Sequence, residues 1–450
     1  MSIASEITRI NNNISAAYTA CSDKGATMPQ TQNSANLADT IGSIPTGGGA
    51  VVKEKDVNFY DYDGTLLYSY TKAEALALSA LPALPSQEGL VCQGWNYTLS
   101  QIQAQPDLVN IGCQYDTADG ATKFYLRATK GIPLLNQSFK VSLNAKSTAS
   151  VDWGDGTVST LSNFGSSPSQ VTASHTYSST SEDTLICISI SGGSFAVDQT
   201  SALCPLVRVH LGSNCIGINN GGFKDCWYLC YITIPNSVTA IGKMAFYYCS
   251  SLFFVSIPTG VTSISEDAFR GCDSLNNISI PSSVAIIDGY AFCYCHGISN
   301  IAFPEGLTSL SGSVFQDNLT LKYVSLPDTI TTFPAIFSGC KSLETVRLPA
   351  DLTTISASSF SNSGIVKIAL PSTVTSIGNG AFSNCKYLLA VDMSAFTDPA
   401  QIPTLSQSAS SVFYAVPGII YVANAEMLSA FSAATNWSSL PSSKYQIKGA

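Results

Sequence analysis

Charged side chains are scarce in this chain of 450 residues. Asp, Glu, Lys and Arg together make up 11% of it, less than half of the roughly 25% found in ordinary globular proteins. Ser, Thr, Asn and Gly must therefore form much of the surface, a composition typical of β-rich, repetitive extracellular or viral structural proteins. The formal net charge is −9, so the chain lacks the excess of Lys and Arg that neutralises phosphates. Nucleic acid is not an expected partner.

Long apolar runs are also missing. No window approaches the roughly 18 consecutive apolar residues of a membrane-spanning helix, so we expect no membrane insertion. The N-terminal segment MSIASEITRINNNIS has neither the basic nor the apolar region of a secretory signal peptide. We therefore expect synthesis in a cytosol, with retention there or release by lysis. Because a cytosolic origin favours free thiols, we expect the 14 Cys to be reduced.

Catalytic motifs are missing as well. The sequence has no Ser-His-Asp order, phosphate-binding loop, HExxH motif or dinucleotide-binding glycine pattern. The segment Asp61-Tyr62-Asp63-Gly64-Thr65 matches the first motif of haloacid dehalogenase-type phosphatases, but a second strand-like run follows at once instead of a long α/β domain. We interpret it as a hairpin turn. We predict no enzymatic activity and no cofactor, although one sequence does not rule out a glycosidase carboxylate pair.

Two groups of Cys and His superficially resemble metal sites. Cys226 with Cys230, and Cys293 and Cys295 with His296, are close in sequence. A zinc site needs four convergent ligands, usually in paired spacings. We interpret these Cys as small buried core residues, and we interpret the two remaining His, at positions 175 and 210, as structural. The sequence therefore predicts no metal site.

What the chain has in abundance is repetition after residue 205. Three columns of residues recur together at intervals of mostly 22 or 23 residues. The proline column is Pro235, Pro258, Pro281, Pro304, Pro327, Pro349 and Pro371. The aromatic column is Phe223, Phe246, Phe269, Phe292, Phe315, Phe337, Phe360 and Phe382. Three residues after each Phe stands Cys226, Cys249, Cys272, Cys295, Asn318, Cys340, Ser363 or Cys385. A period of 20–29 residues with these offsets indicates eight stacked leucine-rich repeat units that share one core.

Each unit contains a short alternating strand. In the second unit, Leu252, Val255 and Ile257 should point inward, and Pro258 should end the strand. Phe253, Phe254 and Ser256 should then be exposed. The alternation returns in later units, so we expect one strand per unit along one side of a solenoid.

The repeats resemble the BspA-like, or Treponema-type, leucine-rich repeat, whose units read IPxxVTxIGxxAFxxCxxL. Ile257-Pro258, Val261-Thr262, Ile264, Ala268-Phe269, Cys272 and Leu275 carry the match, which extends over about 205–395. The resemblance implies a leucine-rich repeat solenoid. Asn318 and Ser363 depart from the Cys position, which argues against a disulfide or metal role for that column.

Segments upstream of the repeats resemble other modules. Residues 151–157, VDWGDGT, with His175-Thr176-Tyr177 are similar to the signature of a PKD-type immunoglobulin-like β-sandwich over about 134–198, and the alternating segments 139–143 and 185–190 predict strands. In 51–133 we predict a small α/β module with a hairpin and a short helix capped by Thr71 and running through Ala80.

The two ends of the chain complete a modular plan. Residues 1–50 predict a helical segment ending at a triple-Gly hinge. The segments SEITRINNNISAAYTACSDKGATMP and VNFYDYDGTLLYSY resemble modules of phage virion proteins over about 1–105, which implies virion attachment. Residues 397–450 predict a C-terminal cap with a closing strand and helix. The fold class is therefore mainly β and modular, with the 199–396 solenoid preceded by an Ig-like (PKD) sandwich and a small α/β N-terminal region.

Aromatic residues are in excess at positions that the repeat pattern predicts to be exposed. Contiguous exposed aromatic residues usually mark a binding surface or a subunit contact. Packing of some of them against the PKD-like domain is the alternative explanation. The candidate surface consists of Tyr231, Phe253 and Phe254 on adjacent strands, with Trp227, Tyr228, Tyr247, Tyr248 and Tyr294 beside the Cys column.

The sequence favours a non-enzymatic phage virion protein, such as a tail fibre or another receptor-binding appendage. Its expected partners are other virion proteins at the N-terminus and a bacterial surface protein or glycan at the solenoid. A homotrimer is left open, since no coiled-coil heptads specify one. The alternative is a BspA-like bacterial cell-surface adhesin that binds host matrix protein or another cell, and a glycan-cleaving enzyme is the third hypothesis.

Overall fold

The structure is a computed structural model that describes residues 56–104, 108–127, 138–145, 148–162, 169–177, 185–192, 195–200 and 206–448. The predicted attachment segment 1–50 lies outside these residues. The described part is mainly β, with 31% strand and 10% helix, and includes a solenoid of about ten turns. The predicted fold class is therefore confirmed. Within the described residues, no helix has both the length and the apolar content to cross a bilayer.

The strands upstream of the repeats are β1 Val57–Tyr60, β2 Leu66–Tyr70, β3 Leu90–Trp95, β4 Val109–Thr117, β5 Thr122–Arg127, β6 Ser138–Ala145, β7 Ala149–Asp152, β8 Val158–Leu161, β9 Ser169–Thr176, β10 Leu185–Ser191 and β11 Phe195–Thr200. The solenoid strands are β12 Leu206–His210, β13 Cys215–Ile218, β14 Tyr231–Thr233, β15 Phe254–Ser256, β16 Ser263–Ile264, β17 Asn277–Ser279, β18 Ile286–Ile287, β19 Asn300–Ala302, β20 Ser309–Leu310, β21 Tyr323–Ser325, β22 Thr332–Phe333, β23 Thr345–Arg347, β24 Thr354–Ile355, β25 Lys367–Ala369, β26 Ser376–Ile377, β27 Ala390–Asp392, β28 Thr404–Leu405, β29 Ile419–Val422 and β30 Tyr445–Ile447.

Among the residues that the structure describes, helices are few and short. The α-helices are α1 Lys72–Leu76, α2 Leu99–Ala104, α3 Ala409–Val412 and α4 Ala425–Ala433. The 3-10 helices are Pro399–Gln401, Trp437–Ser439 and Ser442–Lys444. Thr71 caps α1 through a capping box with Glu74, as predicted, but the helix ends at Leu76 and not at Ala80. The predicted closing strand and helix of the C-terminal region are present as β29 and α4.

The repeat units stack through parallel strand pairing on two sides of the solenoid. One side carries the three-residue strands β14, β15 and β17, then β19, β21 and β23, then β25 and β27. We call their outward surface the strand face. The other side carries the two-residue strands, from β16 to β28. The inward residues of both sides form one continuous core, in which Leu348 is only partly buried.

A ladder of phenylalanine rings runs along that core. Successive rings of the predicted aromatic column lie 5.1–5.9 Å apart, centroid to centroid. At the N-terminal end, Phe223 continues to Phe124 of β5, and at the C-terminal end Phe382 continues to Phe413 and Trp437. The strands before and after the repeats therefore close the two ends of the apolar column, which solenoids require.

Residues 122–200 contribute two sheets that share this core. One runs β5-β10-β7-β8 and continues into the solenoid through β12, and the other runs β13-β11-β6-β9. The predicted strands at 139–143 and 185–190 are confirmed as parts of β6 and β10. The Gly-Asp-Gly run forms the predicted turn between β7 and β8. Because β5 pairs with β10, the sheet begins upstream of the predicted 133/134 boundary.

Residues 57–117 form a separate layer, which we call the N-terminal module. Its sheet has the order β2-β1-β4-β3 and its own core around Phe59, Ile102 and Ile111. The predicted hairpin is confirmed, since β1 and β2 pair antiparallel across the turn at Asp61–Thr65. A disulfide joins Cys92 of β3 to Cys113 of β4. For this pair the expectation of reduced thiols is wrong, because β3 and β4 are antiparallel neighbours that bring the two thiols together.

Candidate functional site

The predicted aromatic surface divides between two sides of the solenoid. Tyr231, Phe253 and Phe254 lie on or beside the strand face. Tyr247, Tyr248 and Tyr294 lie in the turns that carry the Phe and Cys columns. Trp227 and Tyr228 are exposed in the loop after Cys226. The sequence therefore grouped residues that the solenoid places on different edges.

The expectation that Phe254 is exposed is wrong. The side chain is fully buried, and its ring packs 5.5 Å from the ring of Tyr60 in β1. Tyr231 lies 6.4 Å from Tyr62 in the β1–β2 turn, while Phe253 keeps 39% of its surface exposed. Packing in a domain junction was the alternative explanation for this surface, but the partner is the N-terminal module and not the PKD-like region.

Polar contacts fix the N-terminal module on the strand face. In β4, the Gly112 amide donates to Ser279 Oγ at 2.9 Å, and Asn110 Nδ2 donates to Asn277 Oδ1 at 3.2 Å. Gln114 Nε2 donates to Ser256 Oγ, which also buries Ser256 against expectation. Asn96 Nδ2 reaches both Ile257 O and Ser279 Oγ. The chain thus occupies the strand face of its own first units.

The turn edge of the solenoid remains open and carries a cluster that we call the tyrosine surface, formed by Tyr247, Tyr248, Arg270, Tyr290 and Tyr294. Tyr248 is 39% and Tyr290 is 38% exposed. The Arg270 guanidinium lies 6.0 Å from the ring centroid of Tyr247, 5.3 Å from that of Tyr290 and 5.5 Å from that of Tyr294. Arg270 also pairs with Asp267 at 3.1 Å. Cation–π contacts therefore join side chains from three consecutive units into one surface.

Three of these tyrosines have left-handed backbone conformations. The φ angles are 54° at Tyr248, 58° at Tyr290 and 58° at Tyr294. In most turns two positions have this conformation, two residues before and two residues after the ladder Phe, but in the turn around Phe337 only Gly339 has it. Other units fill them mainly with residues that tolerate it, such as Gly221, Asp225, Gly271, Asp317, Gly339, Asn362, Gly380 and Asn384. Tyrosine is the unfavourable choice there.

Acidic groups surround the tyrosine surface. Asp317 is the main cause that raises the pKa of the Tyr294 hydroxyl, and Asp273 adds to the burial that raises the pKa of Tyr248. Lys243 pairs with Glu266 at 2.9 Å, and Lys224 lies 5.4 Å from the Tyr247 ring centroid. The charged neighbours are Lys224, Lys243, Arg270, Asp225, Glu266, Asp267, Asp273, Asp288 and Asp317. Carboxylates outnumber cations, so the surface is locally acidic.

The cysteine column has a hydrogen-bonding role in the core. Five thiols of the column donate to the backbone oxygen of the ladder Phe in the preceding unit, as Cys249 does to Phe223 at 3.1 Å and Cys272 to Phe246 at 3.2 Å; the others are Cys295, Cys340 and Cys385. Asn318 Nδ2 makes the same bond to Phe292 at 3.0 Å. Burial raises the pKa of these thiols well above its usual range. Interpretation of the column as core packing agrees with this geometry.

The histidines and the phosphatase-like motif also lie in structural contacts. His175 stacks on Trp153 and contacts Asp155 Oδ2 at 2.7 Å. His210 is buried, contacts Thr233 Oγ1 at 3.1 Å, and has its pKa lowered to about 3 by burial and by the charges of Arg208 and Lys123. Asp61 is buried and accepts from Tyr115 at 2.6 Å. In the part of the chain that the structure describes, no three His, Cys, Asp or Glu side chains are grouped to hold a metal.

Sequence reasoning missed two members of the tyrosine surface. Arg270 directly follows Phe269, and Tyr290 stands two residues before Phe292. Alignment of the units by their Phe column puts Arg270 in the turn position that holds Tyr247 in the preceding unit, and Tyr290 in the position that holds Met244 two units earlier. A turn-by-turn comparison of the units contains the signal that the strand-based pattern lacked.

Comparison with known families identifies the solenoid. Residues 216–335, 262–389 and 334–414 match the family model of the BspA type leucine-rich repeat region, in six copies. No curated protein gives a significant match.

Two solved structures with similarity to the chain are of leucine-rich repeat proteins. A leucine-rich repeat protein from Bacteroides ovatus is 24% identical with a TM-score of 0.40, over 48% of this chain and 63% of that one. The leucine-rich repeat protein of T. pallidum is 24% identical with a TM-score of 0.35, over 43% of this chain and 83% of that one. This chain thus spans less than two thirds of the Bacteroides protein. On the family match and the repeat geometry, residues 216–414 are a BspA-type leucine-rich repeat region.

Proposed function

We propose that this chain is a non-enzymatic adhesion protein that holds its ligand on the tyrosine surface. The observation that carries the proposal is the set of left-handed tyrosines at positions 248, 290 and 294. A left-handed conformation costs a residue with a side chain roughly 1–2 kcal/mol. Backbone strain of this kind persists mainly where function requires it, and folding alone is served better by Gly or Asn.

Later units supply an internal comparison. At the same turn positions around Phe360 and Phe382 the chain has Ser358, Asn362, Gly380 and Asn384. These units stack as regularly as the earlier ones, with a ring distance of 5.3 Å. The tyrosines are therefore unnecessary for stacking, which supports a binding role for them. Tyr and Arg are also the side chains most enriched where binding energy concentrates.

Occupation of the strand face supports the same assignment. Leucine-rich repeat regions generally mediate binding, and their strand side is the obvious place to look for a ligand. Here the N-terminal module covers that side over β14, β15 and β17 through contacts of Gly112, Asn110 and Gln114. A ligand of these first units must therefore approach from the turn edge, where the tyrosine surface is exposed.

A pair of matched variants tests the proposal. The double variant Tyr248→Asn/Tyr294→Asn removes two rings but keeps a residue that favours the left-handed conformation. The control Tyr387→Asn/Tyr414→Asn removes two exposed tyrosines elsewhere. Fluorescently labelled protein is incubated with bacterial cells from the producing culture and bound protein is measured by flow cytometry, with thermal unfolding measured in parallel.

We expect the first variant to lose at least about 10-fold in cell binding, equivalent to about 1.4 kcal/mol, without a lower melting temperature. The control should bind as the unaltered protein does. Equal binding by both variants overturns the proposal. Release of soluble sugars from the cells, abolished by substitution of Glu266 or Asp267, would instead establish a glycan-cleaving enzyme.

The adhesion protein belongs either to a phage particle or to the surface of a bacterial cell. We propose a phage virion, as a tail fibre or similar appendage, on the basis of the sequence resemblance of residues 1–105 alone; a bacterial cell-surface adhesin is the alternative. Mass spectrometry of gradient-purified particles and of washed cell envelopes separates the two. Deletion of residues 1–50 should abolish incorporation into particles, and enrichment in envelopes alone would contradict the virion setting.

A further inference from the structure

We infer that the ligand of the tyrosine surface is a neutral, hydroxyl-rich glycan that lies along the solenoid axis. This inference rests on the proposed function and names the class of its ligand. Three features of the tyrosine surface support a glycan: the packing of the Tyr248 ring, the charge around the rings and the spacing of the units.

The Tyr248 ring lies against the backbone of the next unit. A Cβ placed on Gly271 would come within 2.4 Å of Tyr248 Cδ1 and 2.6 Å of its Cε1. Only glycine at 271 therefore lets the ring pack so closely, and the exposed part of Tyr248 faces solvent. The faces of aromatic rings carry negative charge density, and the C–H bonds of a sugar ring stack on such faces. A ring that is held in place on one side and exposed on the other can stack against a sugar that binds at the protein surface.

The charge around the rings excludes a polyanion. Arg270 is paired with Asp267 and Lys243 with Glu266, so two of the three cations are already compensated; the third, Lys224, lies 5.4 Å from the Tyr247 ring centroid. Asp273, Asp288 and Asp317 add further negative charge near the rings. A phosphate-rich or sialylated polymer would be repelled, whereas hydroxyl groups can donate to these carboxylates. A neutral polyol is the ligand that this charge pattern fits.

The spacing of the units fits a linear polymer. The ladder rings Phe246, Phe269 and Phe292, which mark the three units of the tyrosine surface, lie 5.1 Å and 5.6 Å apart. A chain aligned with the axis therefore meets a new set of turn side chains at about every 5 Å. The order along the axis is Tyr247 with Tyr248, then Arg270, then Tyr290 with Tyr294. Rings at both ends and a polar centre offer stacking and hydrogen bonding to successive sugars.

The experiment compares two treatments of the same bacterial cells. Periodate cleaves vicinal diols in sugars, and protease removes surface proteins. Binding of the labelled full chain is measured on untreated, periodate-treated and protease-treated cells, at low and at high salt, beside the Tyr248→Asn/Tyr294→Asn variant. We expect at least about a 10-fold loss after periodate, no loss after protease, and little dependence on salt because the ligand is neutral.

Each other outcome has a distinct meaning. Binding that survives periodate, disappears after protease and still needs the tyrosines establishes a protein ligand; it overturns the glycan and leaves the proposed function standing. Binding that is lost only at high salt identifies a charged ligand and also overturns the inference. Binding that ignores the tyrosine substitutions refutes the proposed function itself.

Discussion

The contact between the N-terminal module and the strand face gives the sharpest structural prediction, at Gly112. A Cβ at this position would lie 2.1 Å from Ser256 Oγ and 2.5 Å from Ser256 Cβ. Gly112 lies outside the left-handed region, so alanine brings no backbone strain. The substitution Gly112→Ala therefore tests steric exclusion alone, at one point of the contact.

The expected cost follows from two contributions. Forcing a methyl group into a closed contact costs roughly 1–3 kcal/mol. If β4 moves away to relieve the clash, the Gly112 amide loses its bond to Ser279 Oγ at 2.9 Å, and Gln114 loses its bond to Ser256. Hydrogen bonds of this kind contribute about 1 kcal/mol each. We expect Gly112→Ala to destabilise docking by about 2–4 kcal/mol.

Hydrogen exchange followed by mass spectrometry measures this opening directly, because amides of β4 and β15 exchange faster when the two layers separate. Ser256→Gly removes the atoms that clash with the new methyl group. The double variant Gly112→Ala/Ser256→Gly should therefore recover most of the lost protection relative to Ser256→Gly alone. Gly312→Ala is the control, since a Cβ there meets no atom within 4 Å.

Two results would refute the reasoning. If Gly112→Ala changes exchange no more than Gly312→Ala does, the module does not contact the strand face as described. If the clash appears but Ser256→Gly gives no relief, the contact exists with different partners. Either result would also reopen the strand face as a ligand surface.

Two further predictions concern the buried polar groups of the solenoid. The pKa of His210 is about 3 in the folded protein, against an ordinary value of 6.5, so the unfolded chain binds the proton first. The free energy of unfolding therefore falls as pH drops through that window, by at most about 5 kcal/mol. Burial raises the pKa of Asp61, so its protonation changes the free energy of unfolding in the opposite direction. The test is therefore the difference in free energy of unfolding between the unaltered protein and His210→Gln, measured by urea unfolding at several pH values. Parallel pH curves for the two proteins would contradict the prediction. Asn318 donates to Phe292 O at 3.0 Å and accepts from the Cys295 amide, so Asn318→Ala should cost about 2–4 kcal/mol by leaving both groups unpaired. Asn318→Cys keeps a donor to Phe292 O and should destabilise the protein clearly less in the same urea assay. Equal losses for the two variants would show that this column stabilises the solenoid only by filling space.

The repeat solenoid is predictable from the sequence because its contacts are local and periodic. Each unit repeats the contacts of its neighbour 22 or 23 residues away. The position of Phe269 or Cys272 in the repeat therefore predicts that its side chain is buried next to the same residue of the adjacent units. The inward positions Leu252, Val255 and Ile257 follow from the same alternation and are fully buried. Periodicity also predicted the closing elements, because a stacked core must be sealed at its ends.

The cover on the strand face lies beyond such reasoning. Gln114 meets Ser256 across 142 residues of sequence, and Tyr97 meets Ile280 across 183. The repeat period does not connect these positions. The alternation along the strand predicts that Phe254 points outward, but it is the same whether the side chain faces solvent or another layer of the protein. The exposure of Phe254 and the reduced state of Cys92 were therefore mispredicted for one reason, namely that both depend on which non-local strand lies beside them.

The tyrosine surface shows how an unfavourable residue at a backbone position points to a function. Turn positions that favour Gly, Asn or Asp hold Tyr in the units of Phe246 and Phe292, and the close packing of the Tyr248 ring further requires Gly271 in the unit between them. The same fold is kept with Asn at positions 362 and 384, and Asn tolerates the left-handed conformation better than Tyr does. Self-occupation of the strand face by the N-terminal module provides the reason for the placement. With the broad side of the first units closed by the chain itself, the turn edge is the surface of those units that remains free to bind a ligand.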